Sequence, residues 1–270
     1  MFENVATDEY LFDDYVGDSR ILLDSSYKIS EDDIHLLEFQ SEGKKIYGVY
    51  TGDITKINED TIIVYCHGNT GNIDHYWPRH KLLANVGNKN RYGILTIDYK
   101  GYGMSEGSPT EGGLVEDVDA GLEWLKSEGL TNDRLIIYGF SLGSYPATYL
   151  CSKKSGALVP SKLILEAPFA STKVMVNDAS KLSMNNNYFT STDFEVADLI
   201  KEVTQPFLLL HGEKDDFLSI KTHGVIVYKN YGGSEPNKEF IRVPTADHSD
   251  LPAEQGYEEY KNSLLEFVEK

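Results

Sequence analysis

The sequence predicts an α/β fold with a mostly parallel, doubly wound sheet covered on both faces. Three observations lead there. Short apolar runs rich in β-branched residues alternate with segments whose apolar residues recur at helical spacing. The runs are continuously apolar, as strands buried on both faces must be. Finally, Gly139-Phe140-Ser141-Leu142-Gly143, a G-x-S-x-G pentapeptide, sits between a strand-like run and a helix-like run.

The elements follow in order. Residues 34–40 and 45–51 read as an antiparallel hairpin joined by Ser41-Glu42-Gly43-Lys44. Residues 61–66 form a strand, 76–86 a helix and 93–99 a strand. Residues 114–128 form a helix, with Leu114, Val115, Val118, Leu122 and Leu125 on one stripe. Residues 135–140 form a strand, and a helix from 144 to 150 tolerates Pro146 because it lies in the first turn. Strands at 162–167, 206–211 and 239–243 and a last helix at 254–268 complete the series. Residues 34–270 thus read as one domain, preceded by an acidic lead-in at 1–33 that packs through its aromatic residues. The longest connection, 172–205, is expected to form a small lid, with Met175, Tyr188 and Phe189 on the rim of a shallow pocket.

Chemistry concentrates at the carboxyl ends of the predicted strands, where ligands bind in sheets of this kind. A strand–turn–helix around Ser141 forces the serine into a strained backbone conformation and presents its hydroxyl, while the flanking glycines avoid collisions. Ser141 is the candidate nucleophile. A serine hydroxyl is a weak nucleophile at neutral pH and needs an imidazole to take its proton. His248, in the loop between the last strand and the last helix, is the candidate base. Asp215, leaving the strand at 206–211, is the candidate acid that fixes the imidazole tautomer. Asp216 is its immediate rival, and Glu166, at the end of another strand, is a third candidate. The order serine, aspartate, histidine is one of the known chain orders for this trio. The glycine-rich turn His67-Gly68-Asn69-Thr70-Gly71 could present backbone amides to a substrate oxygen, so the amides of Asn69 and Leu142 are the expected oxyanion donors.

Taken together, these residues resemble the α/β-hydrolase superfamily. Four landmarks match in order: the His67-Gly68 loop, the Ser141 elbow, the His211-Gly212-x-x-Asp215 loop and the His248 loop. A fifth, Asp98-Tyr99-Lys100-Gly101-Tyr102-Gly103-Met104-Ser105-Glu106-Gly107, is similar to the D-Y-R-G-Y-G-x-S-x-G stretch of a subgroup whose oxyanion loop begins H-G-N, with Lys100 in place of the usual arginine. That subgroup includes small esterases and acyl-protein thioesterases with little or no lid. The resemblance implies an α/β-hydrolase fold and a serine hydrolase that cleaves esters or thioesters of short to medium acyl chains through an acyl-enzyme. A peptidase or amidase on the same trio, and a non-catalytic binding protein of this fold, are the alternatives.

Composition narrows the partners. The net charge of −18 argues against nucleic acid, which requires positive patches, and against anionic lipid. Residues 1–33 hold ten Asp or Glu and two Lys or Arg, so −8 of that excess lies there. A small acylated molecule is the expected partner, and the proposed chemistry calls for no cofactor or metal. Gly101-x-Gly103 has its next glycine at 107, one position late for a dinucleotide loop. Cys66 and Cys151, the only cysteines, read as small core residues, and His75 and His80 as surface residues. The chain has no apolar run of membrane-spanning length. It also lacks a signal-like start, which favours the cytoplasm, although a chain trimmed of its signal would look the same.

Overall fold

The computed structural model describes residues 2–180 and 194–270. A short strand β1 (Glu3–Asn4) precedes the hairpin β2 (Ile34–Ser41) and β3 (Lys44–Thr51). Next come β4 (Ile62–Cys66), β5 (Thr70–Gly71), α1 (Ile73–Ala84), β6 (Gly93–Asp98), α2 (Glu111–Ser127), β7 (Leu135–Phe140), α3 (Ser144–Lys153) and β8 (Lys162–Glu166). The remainder comprises α4 (Thr172–Ser180), α5 (Val196–Leu199), β9 (Phe207–Gly212), α6 (Gly224–Asn230), β10 (Lys238–Val243), α7 (Leu251–Gln255) and α8 (Tyr257–Glu269).

Eight strands form one sheet in the order β10-β9-β8-β7-β4-β6-β3-β2. The six from β10 to β6 run parallel, whereas β3 is antiparallel to β6 and β2 to β3. The hairpin turn is tighter than the four-residue link read from sequence. Ser41 and Lys44 still pair, and only Glu42 and Gly43 bridge them, both at positive φ (48° and 75°). That backbone matches the twist of the strands it joins.

Side chains of the central strands alternate between two cores, one on each face of the sheet. On β4, Ile62, Val64 and Cys66 join α2 and α3, while Ile63 and Tyr65 join α1 and α8. On α2, Leu114, Val118, Leu122 and Leu125 are all buried, and Thr110 caps the helix by accepting from Gly113 N at 3.0 Å. The helix α1 begins three residues before its expected start, because Asn72 caps it by accepting from His75 N.

The segment from Phe2 to Leu23 wraps over α1 and the carboxyl end of the sheet. β1 pairs in parallel with β5, Phe12 packs on Trp77 at 4.8 Å between ring centroids, and the Tyr10 hydroxyl donates to Asp98 at 2.6 Å. Phe2 packs edge-on against Phe194.

His80 corrects the expectation of a surface histidine. It faces the sheet from α1 and is fully buried, with Nδ1 at 2.7 Å from Thr96 Oγ1 and Nε2 at 2.9 Å from Thr51 Oγ1. The sequence hid this because two threonine hydroxyls supply the partners that water would otherwise provide. His75 is half-buried. Burial holds His80 neutral and lowers its pKa to about 3. An unfolded histidine takes up its proton at about pH 6.5, so between the two values the unfolded state binds more protons and stability is lost as pH is lowered, by up to about 1.4 kcal/mol per unit. His80→Gln should flatten that acid slope. Urea unfolding of both proteins at about pH 7 and about pH 5 measures it, and parallel losses would clear His80 as its source.

Candidate active site

Ser141 lies where β7 turns into α3, with φ at +50°, in the left-handed region that side-chain-bearing residues avoid. Two glycines permit the turn. A Cβ on Gly143 would stand 1.9 Å from Cys66 O, and one on Gly139 would stand 2.5 Å from Gly143 O. The first close approach seals the elbow against the end of β4, because Cys66 and Gly139 are register partners. The loops leaving these two neighbouring strands are therefore adjacent.

The structure brings Ser141, His248 and Asp215 into one chain of contacts. His248 Nε2 is 3.0 Å from Ser141 Oγ, and His248 Nδ1 is 2.8 Å from Asp215 Oδ2. A carboxylate only accepts, so Nδ1–H donates to Asp215 and Nε2 is left to accept from the serine hydroxyl. Phe140 and Phe217 flank the imidazole at 5.5 and 5.0 Å between ring centroids. Of the rival acids, Asp216 is exposed, and Glu166 is buried in an ion pair with Arg79. Such a chain can draw the proton from a hydroxyl as it attacks a carbonyl.

The turn after β4 is held from three sides. Tyr99 donates to His67 O at 2.9 Å, and Tyr102 donates to Asn69 Oδ1 at 3.0 Å. Glu3 N donates to the same Asn69 oxygen at 3.2 Å. His67 Nε2 lies 3.1 Å from Asp98 Oδ1. The Asp98–Gly107 stretch thus braces the glycine-rich turn instead of forming a site of its own.

Two cavities meet at Ser141. One, of about 140 Å³, is walled by Phe2, Leu142, Phe169, Met175, Phe194 and Leu218. The other, of about 270 Å³, is more polar and presents Asp18, Arg20, His75, His248 and Ser249 beside Tyr76 and Phe140. Asn69, Glu3 and Phe217 border both. Of the rim residues expected from sequence, Met175 lines the apolar cavity, while Tyr188 and Phe189 lie outside the described residues. Phe2, Glu3, Phe194 and Phe217 carried no sequence signal. Phe217 follows Asp215 by two positions, a hint at most, and Phe2 reaches the site only through the β1–β5 pairing. Among the described residues, no group of three or more His, Cys, Asp or Glu side chains is placed to hold a metal ion, and no helix is long and apolar enough to cross a membrane. Cys66 and Cys151 are buried and free, and burial pushes both thiols up, away from thiolate chemistry.

Burial alone would raise the Asp215 carboxyl, but the facing His211 and His248 rings and the Leu218 N–H, donating at 2.6 Å, hold it well below the usual carboxylate range. A depressed carboxylate contributes stability above its unfolded pKa of about 4 and loses it as pH falls toward the folded value. Wild type should therefore lose thermal stability more steeply than Asp215→Asn between about pH 5 and about pH 3. Melting curves across that window test this, and equal slopes would refute it.

Comparison with known proteins agrees with the architecture. A family model described as alpha/beta hydrolase fold matches residues 61–200. The Uncharacterized protein YfhR of Escherichia coli (strain K12) is 24% identical over 231 residues, covering 84% of this chain and 77% of that protein. The human Alpha/beta hydrolase domain-containing protein 17C (Homo sapiens) is 29% identical over 209 residues, covering 76% of this chain but only 57% of its own length. Among solved structures, the Pyrococcus furiosus Esterase Pf2001 superposes with a TM-score of 0.69 at 19% identity, covering 94% of this chain and 98% of that one. Est1E from Butyrivibrio proteoclasticus, solved with ferulic acid bound, gives 0.66 at 18% identity, covering 87% and 100%. At such identities the likeness speaks for the fold. With the family model spanning just over half its length, this chain belongs to the alpha/beta hydrolase fold family.

Proposed function

We propose that this protein is a serine hydrolase that cleaves carboxylic esters or thioesters of short to medium acyl chains through an acyl-enzyme. The observation that carries this reading is the contact chain from Ser141 Oγ through His248 to Asp215. Ser141 attacks the acyl carbonyl while His248 takes its proton, and Asp215 stabilises the imidazolium. The tetrahedral oxyanion is held by the backbone amides of Asn69 and Leu142, the residues beside Ser141 in the smaller cavity. His248 returns the proton to the departing alcohol or thiol, and a water activated by the same imidazole then releases the acid.

The two cavities give the reaction a direction. The apolar one, with Leu142, Met175 and Phe194, suits an acyl chain. The more polar one, next to His248 and Ser249, suits a hydrated leaving group. In this reading α4 carries Met175 at the acyl side, as the described part of the expected lid. The esterase names among the structural neighbours are in keeping with the assignment.

Ser141→Ala should keep the fold and lose at least about a thousandfold in p-nitrophenyl acetate and butyrate hydrolysis. A folded variant with near wild-type turnover, or a wild-type protein that a fluorophosphonate probe fails to label, would end the proposal. Met175→Ala cuts back the acyl wall and enlarges the cavity, so kcat/KM for an ester one or two methylenes longer should rise relative to the butyrate, by about tenfold. An unchanged chain-length profile, measured with oxygen and sulfur esters in parallel, would remove Met175 from the acyl site.

A further inference from the structure

Glu166 ends β8 among the site loops, yet it does not touch His248. Its carboxylate is fully buried and engaged on both oxygens. Oε1 receives Arg79 Nη1 at 2.6 Å, and Oε2 receives the hydroxyls of Tyr138 and of Tyr260, the latter at 3.0 Å. Arg79, from α1, is itself buried. A guanidinium that serves only to neutralise a carboxylate normally grips it with two parallel bonds. Here the fork is split. Nη1 goes to Glu166, while Nη2 donates to Ser249 O at 2.6 Å. Nε has no hydrogen-bond partner among the described residues. The guanidinium carbon also sits 4.0 Å over the Phe140 ring, and that ring lies 5.5 Å from the His248 ring.

Arg79 therefore touches the residue immediately before Ser141 and the carbonyl immediately after His248. The geometry points to Arg79 as a positioning residue, with Glu166 as its anchor, that fixes the His248 loop against the Ser141 elbow. This inference rests on the reading of His248 as the base. The physical case is one of rigidity. Ser141 is fixed by the β7 elbow, but His248 rides on a loop, and a base displaced by about 1 Å can cost about a hundredfold. The bond from the buried guanidinium to the half-buried Ser249 carbonyl is costly to break, because it would leave that donor without its protein partner. Glu166 holds the guanidinium in place, and two tyrosine hydroxyls fix Glu166 in turn.

Two variants test it. Arg79→Lys keeps a positive charge opposite Glu166 but lacks the second prong. Arg79→Met with Glu166→Leu replaces the whole buried pair by apolar groups, an exchange that often leaves stability intact. In each folded variant kcat for p-nitrophenyl butyrate should drop about tenfold or more, with KM within about twofold. Fluorophosphonate labelling of Ser141 should slow in parallel, since it also needs the aligned serine–histidine pair. A variant whose kcat and labelling rate stay within about twofold of wild type would overturn the inference, as would a change confined to KM. Arg79→Lys decides alone if the double variant does not fold. His248→Ala runs beside them. If it keeps full activity, the reading of the base fails; if it is inactive while the Arg79 variants match wild type, only the inference on Arg79 fails.

Discussion

The close approach of the β7–α3 turn to the end of β4 is the constraint on which the site depends. Gly143 can lie against Cys66 O only because it has no Cβ. That contact sets the left-handed backbone of Ser141 and puts the glycine-rich turn at 67–71 beside it. The strain is local, and the surroundings hold it: β7 is fully buried, with β4 and β8 on either side. Any side chain at position 143 would push apart the two central strands, not merely a loop.

Around that contact, buried acids are placed with defined partners. Asp215 faces His248 and His211, Glu166 faces Arg79, and Asp98 lies between His67 and the Tyr10 hydroxyl. Asp117 takes the backbone N–H and the ammonium of Lys100, both at 2.7 Å. Lys100 stands where the resembling stretch carries arginine, and its single ammonium also reaches Ser41 Oγ at 2.9 Å, tying the turn after β6 to the hairpin. Arg79 and Lys100 offset the charges of Glu166 and Asp117, whereas Asp215 and Asp98 are held by hydrogen bonds from neighbouring groups. These pairings also make the loops at the carboxyl end of the sheet rigid, since each carboxylate would be left buried and unpaired if its loop moved.

The N-terminal segment ties composition to the site. It reads from sequence as an acidic lead-in that packs through its aromatic residues, and several of its acidic residues are exposed. Its backbone, however, forms a parallel pair with Thr70 and Gly71, and its first residues stand beside Asn69. Phe2 and Phe194, distant in sequence, close one wall of the apolar cavity together. That wall is therefore built by residues from distant parts of the chain.

The sequence by itself determined the strands of the main sheet and the helices α1, α2 and α3, because continuous apolar runs and helical stripes record burial directly, but it showed neither α6 nor the break at Gly256 that divides the expected last helix into α7 and α8. It also singled out Ser141, Asp215 and His248, because an elbow needs its glycines and each of the other two follows a strand. It could not record which side chains far apart in the chain would meet. His80 looked like any polar surface residue until Thr51 and Thr96 supplied its partners. Glu166 looked like a spare acid until α1 delivered Arg79 beneath it. Phe2 and Glu3 belonged to no motif until β1 paired with β5. These are tertiary decisions for one reason: a buried polar or aromatic group is acceptable only where its partner arrives, and the partner comes from another part of the fold.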